Sequence, residues 1–212
     1  MEAEVFTIAT RSTPGFVRLL RSVAKFGVHL TILARNEARY FGGAWRWKQF
    51  IQGVKASRAR IVIHCDAYDT VCLEPLGCLL EKFAGSSHAI LFSYEDKEQP
   101  QFWLGLQPGL MMANREALLA AFTDQILNEF FPDHFSDQQQ IQTLYSWKPD
   151  SFILDKEGAI FYTLGRRSPE LVVNRQRLVH PVTGLSPSFV HGPHRWDMSK
   201  IEQWIANIAN LT

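Results

Sequence analysis

The sequence predicts an α/β fold, with a mostly parallel central sheet flanked by helices, and three observations predict it. Short β-branched runs alternate with amphipathic stretches in units of about 30 residues, the spacing of βαβ crossovers. The helical stretches are punctuated as helices are: Phe16, Leu19, Leu20 and Val23 form an apolar stripe between Pro14 and Gly27. A strand-like run, Ile61 to Ile63, leads into Asp66 and Asp69, which places two acids at the strand end where open α/β sheets bind ligands.

The elements follow in order. "EVFTIAT" reads as the first strand, "PGFVRLLRSVAKFG" as the first helix, "VHLTIL" as the second strand and "AWRWKQFIQGVKAS" as the second helix. Gly53 weakens that second helix locally. "RIVIHC" is the third strand, "LGCLLEKFAG" the third helix and "HAILFS" the fourth strand. "GLMMAN" then reads as a strand, and "REALLAAF" and "SDQQQIQTLYSW" as helices. "SFILD" and "AIFYTL" read as two strands of a hairpin turning at "KEG". The Pro- and Gly-containing segment 165–187 predicts an irregular excursion, "SFVHG" a last strand, and "SKIEQWIANIANL" a closing amphipathic helix capped by Ser199. Without a repeat, low-complexity tract or linker, residues 1–212 read as a single domain.

Composition narrows the function classes. Hydrophobic residues make up 46% and charged residues 20% of 212, an ordinary globular balance able to bury a core without staples. A formal net charge of +1 supplies no strong field toward nucleic acid or anionic membranes, so a partner is read by a local site. Cys65, Cys72 and Cys78 are odd in number and match no zinc ribbon or CxxC spacing. They read as reduced thiols, Cys65 as a small buried hydrophobe, which points to a cytoplasmic location. "MEAEVFTIAT" passes directly into a strand pattern and does not read as a signal peptide. No apolar run approaches the roughly 18 residues of a membrane span.

Two like charges three residues apart at a strand end repel unless something positive lies between them. Asp66 and Asp69, separated by a tight turn, can face one crevice, and a hard divalent cation (Mn²⁺ or Mg²⁺) suits their oxygens. The plainer reading is that either acid caps a turn or the next helix.

"CDAYDTV" carries a DxYD element that resembles the glycosyltransferase domain of the procollagen lysyl hydroxylases and related collagen-type sugar transferases. The resemblance runs from "TIATRSTPGFVRLLRSVAKFG" to "FVHGPHRWDMSK", with Thr-x-Ala-Thr, a Gly-Gly segment before a basic residue, DxYD, an Asp-Gln helix and a late His-Gly in that order. It implies a GT-A-type nucleotide-sugar-binding fold that uses a UDP-sugar donor and Mn²⁺. It further implies Asp66, Asp69 and His191 as metal ligands, Tyr68 as the ring that packs on uracil, and Thr10 as a nucleotide contact. Lys48 resembles the basic residue that meets the diphosphate, with Arg46 as its competitor because the spacing in this helix differs from the family's. Asp137 and Gln138 match the end of an acidic run that handles the sugar, and Glu95 matches a family glutamate after the fourth strand and is a candidate acceptor contact. The plain alternative is that Asp137 or Ser136 is an N-cap and Glu95 a loop charge.

The chain departs from the family pattern at two places. Gln107-Pro108-Gly109-Leu110 stands for Asn-Ser-Gly-Gly, so Gln107 and Gly109 keep part of a sugar contact while Pro108 removes a donor. Gly192-Pro193 stands for Gly-Asn and removes a second donor near the diphosphate. His194 is a fallback ligand, and His64 shares a strand face with Asp66 but reads first as a packing residue. Trp45, Trp47, Trp103 and Trp196 are numerous, and Trp103 is the acceptor-side candidate among them. The expected function is therefore transfer of a hexose, glucose or galactose, from a UDP-sugar to a hydroxyl acceptor: a peptide, a glycan or a small molecule. A degenerate, non-catalytic binder and a metal-dependent nucleotide phosphohydrolase are the alternatives.

Overall fold

The structure, a computed structural model, describes residues 2–35, 37, 41–84, 90–96, 105–165, 168–193 and 197–208. It opens with β1 (Ala3–Ile8), α1 (Pro14–Lys25), β2 (Leu30–Leu33), α2 (Gly43–Ala56) and β3 (Ile61–Cys65). β1 pairs in parallel with both β2 and β3, so these elements form the expected parallel crossovers. α1 forms where the sequence places it: Thr13 Oγ1 accepts the Phe16 amide at 3.1 Å, and Gly27, at φ +64°, ends the helix with its neighbour Val28 N bonded to Val23 O. Gly53 inside α2 has a packing reason, since a Cβ there would stand 2.8 Å from Leu33 Cδ1 of β2.

β4 (Thr70–Cys72), α3 (Leu76–Ala84), β5 (Ile90–Tyr94) and β6 (Leu106–Asn114) follow, then α4 (Arg115–Ala121), α5 (Asp124–Phe130) and α6 (Asp137–Trp147). A 3₁₀ turn at Pro149–Ser151 leads to β7 (Ile153–Asp155), β8 (Phe161–Thr163), β9 (Val172–Asn174), β10 (Arg177–Val179), β11 (Phe189–His191) and α7 (Ser199–Ile208). The central sheet has six strands in the order β2-β1-β3-β6-β5-β7. β6 alone among them runs antiparallel to its neighbours β3 and β5, which keeps the sheet mostly parallel. Period-two alternation buries both faces, as in other covered parallel sheets. Phe6 and Val62 pack with Trp47, Phe50 and Ile51 of α2 and with α4 and α6 on one side. Val5, Ile63 and Cys65 pack with Leu19 and Val23 of α1, Leu79 of α3, Phe161 and Phe189 on the other.

A second sheet, β4-β11-β8, sits over the carboxyl end of β3 and positions the site. Its middle strand pairs antiparallel with β4 and parallel with β8, so His191 lies opposite both Thr70 and Thr163.

The structure corrects four expectations about elements. "SFILD" and "AIFYTL" do not form a hairpin: β7 joins the central sheet beside β5, and β8 joins the small sheet beside β11. The turn between them is held by Asp155, whose carboxylate accepts the amides of Ala159, Ile160 and Phe161 and sends the chain into another layer. The segment 165–187 is not wholly irregular, because β9 and β10 pair within it. β4, just three residues long, is a strand the sequence reading did not include. Ser199 is the first helical residue of α7 rather than its cap, and its amide is taken by Asp197 Oδ1 at 2.9 Å. The thiols of Cys65, Cys72 and Cys78 are free, the first two buried.

Candidate active site

β3 ends at Cys65, and the next amide, Asp66 N, still bonds Gly109 O of β6 at 2.8 Å. The chain then turns through Ala67 and Tyr68 to Asp69, whose carbonyl accepts Gly192 N at 2.7 Å. That bond ties the acidic turn to the end of β11 and brings His191 over it. One ligand atom from each of Asp66, Asp69 and His191 lies within 4.8 Å of the others. His191 Nε2 stands 3.3 Å from Asp69 Oδ1 and 3.5 Å from Asp66 Oδ2. Both nitrogens of this buried ring lack a well-formed hydrogen bond among the described residues. A buried imidazole facing two carboxylates, with no better partner, is a donor set that fits a divalent cation, and its oxygen-rich character suits Mn²⁺ or Mg²⁺.

Gly109 makes this approach possible. A Cβ there would stand 2.7 Å from both Nδ1 and Nε2 of His191, so a side chain at 109 would push the ring out. Without a cation the charges settle among themselves. Burial opposes a charged His191, but the carboxylates of Asp66 and Asp69 outweigh it and raise its pKa to about 9. Burial likewise opposes a charged Asp66, and Arg46, His191 and His64 outweigh it and hold the group well below the usual carboxylate range. His64 goes the other way: burial dominates, lowers its pKa and keeps the ring neutral.

Arg46, on α2, links two parts of the site. Its Nη1 pairs with Asp66 Oδ1, while Nη2 pairs with Asp137 Oδ2 and Nε donates to the same oxygen at 3.1 Å. Asp137 also accepts its neighbour's amide, Gln138 N, through Oδ1 at 2.9 Å. It packs tightly on α2, since a Cβ at Gly43 would fall 2.6 Å from Asp137 N. Ser136 occupies the cap position of α6 without a side-chain capping bond. Lys48 is not brought to the acids. Two residues on from Arg46, it points to another side of α2 and pairs with Asp133 Oδ1 at 2.8 Å.

Thr10 and Tyr68 meet where β1 leads into α1. The Thr10 amide donates to the Tyr68 hydroxyl at 3.1 Å, and the two hydroxyls stand 3.4 Å apart. The half-buried Tyr68 ring packs beside Phe16, Ala9 and Ala67. Glu95 and Gln107 form a second buried group: Gln107 Nε2 donates to Glu95 Oε2 at 3.1 Å, and Gln107 Oε1 accepts Gly109 N at 3.2 Å. Gln138 Nε2 reaches Leu106 O at 3.4 Å, which sets α6 against the start of the same strand. Pro108 occurs where β6 slips past β5: Phe92 pairs with Met111 but Ser93 with Gln107. The intervening residues leave the β5 ladder there, so a missing N–H is tolerated. Gly192 N is already engaged by Asp69 O. Trp103, Trp196 and the fallback ligand His194 lie outside the described residues.

Two residues that sequence reasoning missed flank His191. Thr70 and Thr163 are buried, and neither hydroxyl has a hydrogen-bond partner among the described residues. Their signal is register alone, since each lies directly across from His191. No local pattern announces it.

A six-stranded, mostly parallel sheet with an acid–acid–histidine cluster at its carboxyl edge defines a GT-A-like α/β domain. The fold matches a solved glycosyltransferase involved in glycosylation of the major capsid of PBCV-1, with TM-score 0.60 and 10% identity over 98% of this chain and 100% of that one. The model of the PLOD GT domain matches residues 1–107, and the chain belongs to this family of glycosyltransferase domains. It is 27% identical over 231 aligned positions to the human multifunctional procollagen lysine hydroxylase and glycosyltransferase LH3, covering 96% of this chain. It is 31% identical over 101 positions to the Drosophila melanogaster procollagen-lysine,2-oxoglutarate 5-dioxygenase, covering 43% of this chain. The chain spans 31% of the human relative's length and 14% of the fly relative's.

Proposed function

We propose that this chain, read as one domain over residues 1–212, transfers a hexose from a UDP-sugar to a hydroxyl acceptor in a step that depends on Mn²⁺ or Mg²⁺. The observation that carries this reading is the convergence of Asp66, Asp69 and His191 at the ligand-binding edge of a sheet in a glycosyltransferase-domain family. These three residues hold the cation. When bound, it supplies Lewis acidity to the diphosphate oxygens that take up charge as the sugar bond breaks. Tyr68, fixed by Thr10, offers a ring to the uracil, worth ~1–3 kcal/mol by analogy with base stacking on aromatic side chains. Arg46 puts a permanent positive charge beside Asp66. Lys48 serves the diphosphate only if it gives up Asp133. Asp137 and Gln138, set by Arg46 and Leu106, face the sugar, and Glu95, braced by Gln107, faces the acceptor. Gly109 and Gly192 act through backbone close to His191. Free thiols at Cys65, Cys72 and Cys78 support a reducing, cytoplasmic setting. Among the described residues no helix is long and apolar enough to cross a membrane.

Product analysis tests the reading. The protein incubated with UDP-glucose or UDP-galactose and Mn²⁺ is expected to yield UDP and a transferred or free hexose. Chelation of the metal should stop the reaction, and so should Asp69→Ala. UMP and a sugar phosphate in place of UDP would mark a phosphohydrolase, and no turnover of either donor would mark a binder.

A further inference from the structure

His64 lies two residues before Asp66, and its imidazole is wholly buried. The ring is walled by Phe50, with centroids 5.0 Å apart, and by Trp47 at 5.9 Å. Neither nitrogen has a well-formed hydrogen bond among the described residues. The polar atom it faces is Asp66 Oδ1, 3.4 Å from Nε2. A buried N–H without an acceptor is unfavourable, and a phenylalanine would fill the same aromatic box without that penalty. Packing therefore explains the shape of this side chain but not its chemistry.

Asp66 shows what the chemistry serves. Its Oδ1 faces His64 and Arg46, and its Oδ2 faces His191. A carboxylate free to turn about its Cβ–Cγ bond offers either oxygen to an ion. One approached at Oδ1 from two sides is left with Oδ2 pointing toward His191. We propose that His64 is a positioning residue for Asp66: an imidazole boxed by Trp47 and Phe50 that holds Oδ1 through Nε2 and so presents Oδ2 to a divalent cation. This rests on the reading of Asp66, Asp69 and His191 as a metal centre. Ligating carboxylates are commonly fixed by such outer partners. Arg46 Nη1 meets the same Oδ1 from the α2 side, while its Nη2 and Nε are taken by Asp137.

The test is Mn²⁺ binding to the full chain, followed by loss of the free-ion EPR signal, with thermal melting of the metal-free protein alongside. Wild type, Asp69→Ala, His64→Phe and His64→Gln are compared. Glutamine places an amide nitrogen near the position of Nε2, whereas phenylalanine fills the box without a donor. The expected result is Mn²⁺ affinity about 10–100-fold weaker in His64→Phe at an unchanged or higher melting temperature, with His64→Gln within about threefold of wild type. Wild-type affinity in His64→Phe overturns the proposal and leaves the metal centre standing. Affinity and melting temperature falling together in both His64 variants also overturns it, because that is the pattern of a packing role. Wild type that binds Mn²⁺ no better than Asp69→Ala overturns the metal-centre reading itself.

Discussion

At Arg46 one guanidinium answers two carboxylates from distant parts of the chain, Asp66 after β3 and Asp137 at the start of α6. The side chains of all three are largely shielded, at 17%, 13% and 8% exposure for Arg46, Asp66 and Asp137. Removing the cation would leave two acids close together in a poorly solvated pocket. Arg46→Met is expected to destabilise the metal-free protein by about 3 kcal/mol, the low end for a broken buried pair, read from urea unfolding. Adding Asp137→Asn to that variant should recover part of the loss. A change under about 1 kcal/mol would mean the bridge is an ordinary surface pair. The sequence shows both Arg46 and Lys48 as basic residues on one helix, and spacing leaves the choice open. The choice depends on how α2 is rotated against β3, which tertiary packing of Trp47 and Phe50 decides. Asp66, Asp69 and Tyr68 are legible because turn, charge and motif lie within a few consecutive residues. His191 is legible through the family's late His-Gly, while its neighbours Thr70 and Thr163 are visible through register alone.

At the scale of elements, β6 and β11 do for the site what no local motif does. β6 runs antiparallel between β3 and β5, slips against β5 around Pro108, and places Gly109 beneath the His191 ring. Gly109→Ala is expected to weaken Mn²⁺ binding at least ~10-fold by displacing His191, with a stability loss of about 1–3 kcal/mol from overpacking. Parallel metal titration and thermal melting check this, and wild-type affinity would show that His191 has room to spare. The repeating β–α units at the start were legible because each carries its own periodicity and caps. The later strands were not, because three-residue runs such as β4, β7 and β8 hold too few residues to show a period. Their partners are set by layers far apart in sequence, so "KEG" reads as a hairpin turn where Asp155 in fact organises a change of sheet.

Across the whole molecule, the central sheet separates two apolar layers, one under α2, α4 and α6 and one under α1 and α3. The small sheet covers the end of β3, where both layers give way to acids, a histidine and an arginine. That arrangement makes a divalent cation the hinge of the account: with it, the acidic edge becomes a seat for a diphosphate, and without it the edge repels one. Calorimetric titration of UDP into the protein, with Mn²⁺ and then with the metal chelated, tests this most directly. UDP is expected to bind at least ~10-fold tighter with Mn²⁺, a difference that Asp69→Ala erases. Equal UDP affinity of the wild-type protein in the two conditions would contradict it.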